Sequence, residues 1–176
     1  MTRSEMYAYF YSGEVALKLA VSRELYVQFG NVLLQQPDVL TQLTNVKANE
    51  RALQRQMGAM TMGLTCTQCA SRQGGGCCSS FMAGENDVLQ LLMNLLAGVQ
   101  VQVQVQQDEQ QECCFLGMTG CILTMKPMFC LNYNCSYIKD KEVATTLLLL
   151  EQRTAALLVS QAGLEGLLLD FFCENL

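Results

Sequence analysis

The chain has 176 residues, 51% hydrophobic and 15% charged, with a net charge of −5. That is long enough to bury one ordinary core and too apolar for a disordered segment. Its lysines and arginines are scattered, which excludes the basic footprint of a nucleic-acid binder.

The stretch Met1 to Phe10 carries Glu5, Tyr7, Tyr9 and Phe10 where a secretory signal needs an uninterrupted apolar run. No segment holds the ~18 consecutive apolar residues of a membrane span. The greasiest, 143–172, is broken by Glu151, Arg153, Glu165 and Asp170. The expectation is a cytoplasmic protein without a membrane span.

A first helix is predicted over 13–36, capped by Ser12, with Leu17, Val21, Leu25, Phe29 and Leu33 on its apolar face. Pro37 and Asp38 open a second, whose stripe runs Val39, Leu43, Val46, Leu53, Met57 and Met60, with Glu50 as a polar intruder. The methionine-rich run 57–62 reads as soft core packing. Beyond the first cysteines, Asn86 or Asp87 caps a short helix with Val88, Leu91, Leu92, Leu95 and Leu96 on one face, ended by Gly98. Strict Val-Gln alternation over 99–106 suits either a strand or a low-complexity connector. Residues 113–135, with Gly117, Gly120 and Pro127, read as mostly irregular.

From about Lys141 to Phe172, Val143, Leu147, Leu150, Leu157, Leu164, Leu168 and Phe171 fall on heptad positions, with Thr154 and Gln161 in the gaps. This is one long helix, or two broken near Gly163 and Gly166. The fold class expected is mainly α: a small helical bundle carrying an irregular cysteine-rich metal-binding module. Residues 1–65 and 138–176 supply the helices and 66–137 the module. Leu148, Leu149 and Leu158 on the last helix leave a protein partner or a homodimer open.

Nine of the ten cysteines lie between Cys66 and Cys135, and there is no histidine. Soft thiolates suit zinc and iron–sulfur clusters rather than magnesium or calcium. In a reducing cytosol, clustered cysteines point to metal or redox chemistry rather than structural disulfides. Cys66 and Cys69 have the spacing of a metal knuckle, while adjacent Cys77 and Cys78 reach apart, and Gly74-Gly-Gly allows a tight bend beside them. Without histidine there is no imidazole base and no Ser-His or Cys-His pair, so no active site is assigned. A thiol–disulfide switch without stable metal is the alternative.

Cys66, Cys69, Cys77 and Cys78, then Asp87-Val88, Cys113-Cys-Phe115-Leu116, Cys121, Pro127-Met-Phe-Cys130, Tyr133 and Cys135 resemble the pattern of the YkgJ-type (CxxCxxCC) zinc- or iron-chelating family. The resemblance covers roughly 66–137. It implies a bacterial-type cytosolic protein with a cysteine-ligated iron–sulfur (possibly [4Fe–4S]) or zinc centre, and some members are thought to be parts of protein-lysine methylating enzymes. The ligand set it supports is Cys66, Cys69, Cys77, Cys78, Cys113, Cys121, Cys130 and Cys135. Cys114, at the family's non-cysteine position, and Cys173, beside Phe171 and Phe172, read as packed small hydrophobes. The uneven spacing of the later cysteines favours a cluster, gripped from several directions, over a single zinc ion.

Overall fold

The computed structural model describes residues 3–70, 76–102, 113–132 and 134–176. The protein is mainly α, a small helical protein with a two-stranded hairpin. Its helices are α1 (Arg3–Tyr11), α2 (Val15–Leu33), α3 (Pro37–Ala59), α4 (Met62–Ala70), α5 (Ser80–Gly84) and α6 (Val88–Leu96), then α7 (Met128–Asn132), α8 (Ser136–Lys139) and α9 (Ala144–Asn175). The hairpin, β1 (Leu116–Gly117) and β2 (Gly120–Cys121), precedes α7. The alternating tract from 103 to 112 lies outside the described residues.

Two helix pairs make the frame, α3 along α9 and α2 along α6. Val39, Leu43, Val46 and Leu53 of α3 meet Leu150, Leu157, Leu164 and Leu168 of α9 in one buried cluster. Beside that apolar seam runs a polar one. Gln42, Asn49 and Gln56, seven residues apart on α3, donate from their side-chain amides to the backbone carbonyls of Ser160, Ala156 and Thr146 at 2.9, 3.2 and 3.3 Å. The carbonyls descend in number as the donors rise, so the two helices run antiparallel. Phe10, Phe29, Phe171 and Phe172 close one end, with ring centroids 5.3–5.6 Å apart.

The first helix departs from its sequence expectation. It is split: Gly13, at φ +104°, separates α1 from α2, and Glu14 rather than Ser12 occupies the cap position. The buried face of α2 also turns away from Leu17, which is 58% exposed, toward Lys18, Leu19 and Ser22. The Lys18 ammonium donates to the Gly84 carbonyl at the end of α5, 2.7 Å away, a partner invisible to local periodicity. α3 begins at Pro37 as predicted.

α9 is one unbroken helix. Gly163 marks a close approach rather than a break, since a Cβ there would stand 2.5 Å from the Gln42 amide nitrogen. Leu148 and Leu149 face solvent and Leu158 is half-buried. By length and composition α9 could cross a membrane, with a mean hydropathy of 1.5 in its most apolar window, one third of it buried in the bundle. Core helices of soluble bundles share that property.

α6 is wrapped on all sides, beyond the single apolar face expected. Val88, Leu89, Leu92, Met93 and Leu96 join the bundle core. Leu91 joins a second cluster with Ala83, Phe115, Leu116 and Leu123 beneath the cysteine segments. Asp87 caps it, accepting from the Gln90 amide at 2.7 Å. At its end Gly98 (φ +86°) and Val99 donate to the carbonyls of Leu95 and Asn94, a Schellman closure.

Burial pushes the Asp87 carboxyl up to about 6, with Glu165 adding like charge. An acid whose pKa rises on folding holds its proton more tightly in the native state. Its contribution to stability therefore falls as pH climbs from about 4 to about 6, and stays unfavourable above that. Asp87→Asn keeps the cap acceptor without the desolvated charge. Urea unfolding should show it more stable than wild type by about 2 kcal/mol at pH 7.5, with the gain vanishing below about pH 4. A gain independent of pH would contradict this assignment.

Candidate metal centre

The chain turns from α3 into α4 at Thr61, a non-glycine residue at φ +52°. Cys66 and Cys69 therefore sit on a helix, one turn apart on one face, rather than in a loop knuckle. α4 reaches the second cysteine half through two glycines. A Cβ on Gly63 would lie 2.3 Å from the Thr119 carbonyl oxygen, and one on Gly120 (φ +117°) would lie 3.2 Å from the Gly63 Cα. The Thr67 hydroxyl adds a bond to the Gly117 carbonyl at 3.2 Å. Cys113 N–H donates to the Cys78 carbonyl at 3.1 Å, joining the halves a second time.

The segment expected to be mostly irregular is so, apart from the short hairpin and α7. In the hairpin, Leu116 stands opposite Cys121 and Gly117 opposite Gly120. The chain after it is held by two buried carboxamides. The Asn94 oxygen accepts from the amides of Thr124 and Met125, at 2.8 and 3.1 Å. Its nitrogen donates to the carbonyls of Gln90 and Met125, at 2.9 and 2.8 Å. Gln161 of α9 brackets the next residue, accepting from Lys126 N–H at 3.2 Å and donating to the Lys126 carbonyl at 3.0 Å. Pro127 then opens α7, which carries Cys130, and Cys135 occupies the cap position of α8.

These supports surround a cavity of about 740 Å³. Cys66, Cys77, Cys78, Cys113, Cys121 and Cys130 line it, with Lys126 and an apolar wall that includes Leu53, Met57, Phe81 and Leu116. Six of the eight sequence candidates thus converge, from both halves. Cys69 and Cys135 lie close enough to Cys66 to influence its ionisation but are not on the wall. A Cβ on Gly76 would be 3.1 Å from the Cys69 sulfur, so a side chain there would crowd that thiol. Gly74 and Gly75 lie outside the described residues, as does Tyr133. Cys114 is half-buried against the second core cluster. Cys173 is exposed rather than packed, its sulfur 3.7 Å from that of Met6.

All ten cysteines are free thiols. Among the described residues, no three cysteine, aspartate or glutamate side chains stand close enough to hold one ion. Burial, then neighbouring sulfurs, push Cys66 up to about 11 and Cys130 up to about 12. Burial also pushes Cys113 up to about 11. The hydrogen bond between Cys77 and Cys78 brings Cys77 down to about 6 and pushes Cys78 up. At neutral pH the thiols of Cys66, Cys113 and Cys130 stay protonated, so any metal entering would displace their protons.

No family model, curated protein or solved structure matches the chain. The family resemblance rests on the quoted cysteine pattern alone. Sequence reasoning leaves out Gly63, Asn94 and Lys126, and places Gln161 only in a heptad gap. A glycine three residues before a C-x-x-C pair, and amides at otherwise apolar helix positions, were the available signals.

Asn94→Ala leaves the N–H groups of half-buried Thr124 and buried Met125, and the Met125 carbonyl, without partners. It should cost about 3 kcal/mol, or roughly 6–12 °C in melting temperature at this length. Gln161→Ala should cost about 2 kcal/mol, and the double variant less than the sum, because both amides hold one segment. Additive losses in thermal unfolding would show that the two act independently. Gly63→Ala should cost about 1–3 kcal/mol by forcing the hairpin off α4.

Proposed function

We propose that the protein holds a sulfur-ligated metal centre, an iron–sulfur cluster in preference to zinc, gripped by both cysteine halves. The observation that carries this reading is the cavity, where thiols from five separate chain segments face one volume. Soft sulfur donors without histidine fit zinc and iron–sulfur chemistry. Four ligands come from Cys66, Cys77, Cys78, Cys113, Cys121 and Cys130, with Cys69 and Cys135 held beside them. The uneven spacing of Cys113, Cys121, Cys130 and Cys135 along the sequence favours the cluster, which can be gripped from several directions. Tetrahedral zinc needs its sulfurs about 4 Å apart, whereas a cluster reaches ligands across a wider space. A bound cluster would supply one-electron chemistry, and zinc a structural clamp. Such a centre belongs in a reducing compartment.

A thiol–disulfide switch is the second reading, favoured by the free and hydrogen-bonded vicinal pair Cys77-Cys78. Metal analysis and thiol counting on protein purified without oxygen separate the two. The expected result is a brown protein with a broad band near ~400 nm. A colourless protein carrying stoichiometric zinc would change the metal and keep the ligands. A metal-free protein that loses thiols reversibly on mild oxidation would establish the switch instead. Cys66→Ser and Cys121→Ser should each lose most of the metal, while Cys114→Ser and Cys173→Ser keep it.

A further inference from the structure

The cysteines line only part of the cavity of about 740 Å³. Much of the remaining wall belongs to the bundle: Leu53 and Met57 of α3, Leu131 of α7, Ile138 of α8 and Leu150 of α9. All of these but Met57 are buried members of the main core cluster. Neither α3 nor the first half of α9 carries a cysteine, so the space beside them serves no sulfur ligand. Paired helices normally close over their own side chains, because empty space forfeits contacts. Here they leave a hollow within the range of roughly 300–1,000 Å³ usual for small-molecule sites. Phe81 and Phe129 lie on the same wall and are exposed, which makes this an open pocket with an apolar entrance.

Lys126 is the one cation on this wall among the described residues. Its stem is packed away, the residue being 5% exposed, and Gln161 fixes its backbone on both sides. The ammonium makes no hydrogen bond or ion pair with the described residues, yet it is not sealed from solvent. It is therefore within reach of a molecule entering the cavity. Glu85, the one carboxylate on the wall, and Cys77, the low-pKa thiol, are both exposed, where water screens their charge.

We propose that the cavity binds an apolar organic acid of small-molecule size, its body against the core side chains of α3 and α9 and its carboxylate on the Lys126 ammonium. The inference stands apart from the metal centre, because the apolar wall it uses carries no cysteine. The apolar body takes the place of water against the core side chains. The carboxylate adds a charge-assisted hydrogen bond in a recess less polar than bulk water. An alcohol of equal length keeps the first contribution and loses the second, and an amine sets like charge against Lys126.

The test titrates decanoate, decanol and decylamine calorimetrically into protein purified without oxygen, both as purified and after a chelator has removed any metal. Decanoate should bind once per chain in both forms, with the negative heat-capacity change of apolar burial, and should raise the melting temperature. Decanol should bind about tenfold more weakly, the scale of one charge-assisted bond, and decylamine more weakly still. Lys126→Met should bring decanoate down to the level of decanol, while Lys126→Arg keeps the preference for the acid. Gly58 offers an independent variant, since it lines the cavity from α3 and a Cβ there meets nothing within 4 Å. Gly58→Leu should melt no lower than wild type, because it replaces a glycine within a helix, and should bind none of the three. Wild-type protein that binds no decanoate, or binds decanol as tightly, overturns the inference. So does an acid preference that survives Lys126→Met, or undiminished binding by Gly58→Leu, which would place the ligand elsewhere. None of these outcomes touches the metal centre, and decanoate binding to protein that never takes up metal leaves this inference standing alone.

Discussion

Everything around the cavity depends on the amide of Asn94. A carboxamide has two donor and two acceptor positions, and here all four are used, on the backbone of Gln90, Thr124 and Met125. The segment it holds has neither helix nor strand to satisfy its buried backbone. Such a segment stays buried only if side chains supply the missing partners. Gln161 does so for the next residue. Between them the two amides turn an irregular stretch into a fixed rail between Cys121 and Cys130.

That rail is useful because α6 is a middle layer. Its bundle side and its cysteine side are both apolar, so it separates two cores that share one helix. The same helix presents Asn94 toward the rail, and α9 presents Gln161 to the rail from the bundle. The frame thus touches the site through polar groups inside an apolar surround, where hydrogen bonds are directional and hard to exchange for water. The glycine contact between α4 and the hairpin brings the two halves together, because a side chain at Gly63 would meet the Thr119 carbonyl and hold them apart.

What could be read from the sequence follows from how local each cause is. Pro37, Asp87 and Gly98 act on their own neighbours, and α3 and α6 begin or end where they indicate. Heptad leucines placed α9, although Gly163 suggested a break; its partner Gln42 lies far away in sequence. At the start of α2 Leu17 was misplaced for the same reason, since Lys18 turns inward to meet a carbonyl 66 residues on, while Leu25 and Leu33 lie in the core as expected. The C-x-x-C spacing suits a helix face as well as a loop, and spacing alone does not distinguish them. The gathering of the cysteines was legible as chemistry, because nine thiols without histidine point one way. The amide clamp was not legible, because its targets are backbone atoms that carry no sequence signature.

The amide seam between α3 and α9 bears on the order in which the molecule assembles. Gln42 and its acceptor Ser160 are 118 residues apart, whereas Gln161 and Lys126 are 35 apart and Asn94 and Met125 only 31. Closing the longer loop costs about 1 kcal/mol more entropy than closing the shorter ones, and distant pairings form later. The clamp around the rail is therefore favoured to form while α3 and α9 are still apart. The segments that carry the thiols are gathered early, and during that interval their protection from oxidation comes from the surrounding solution.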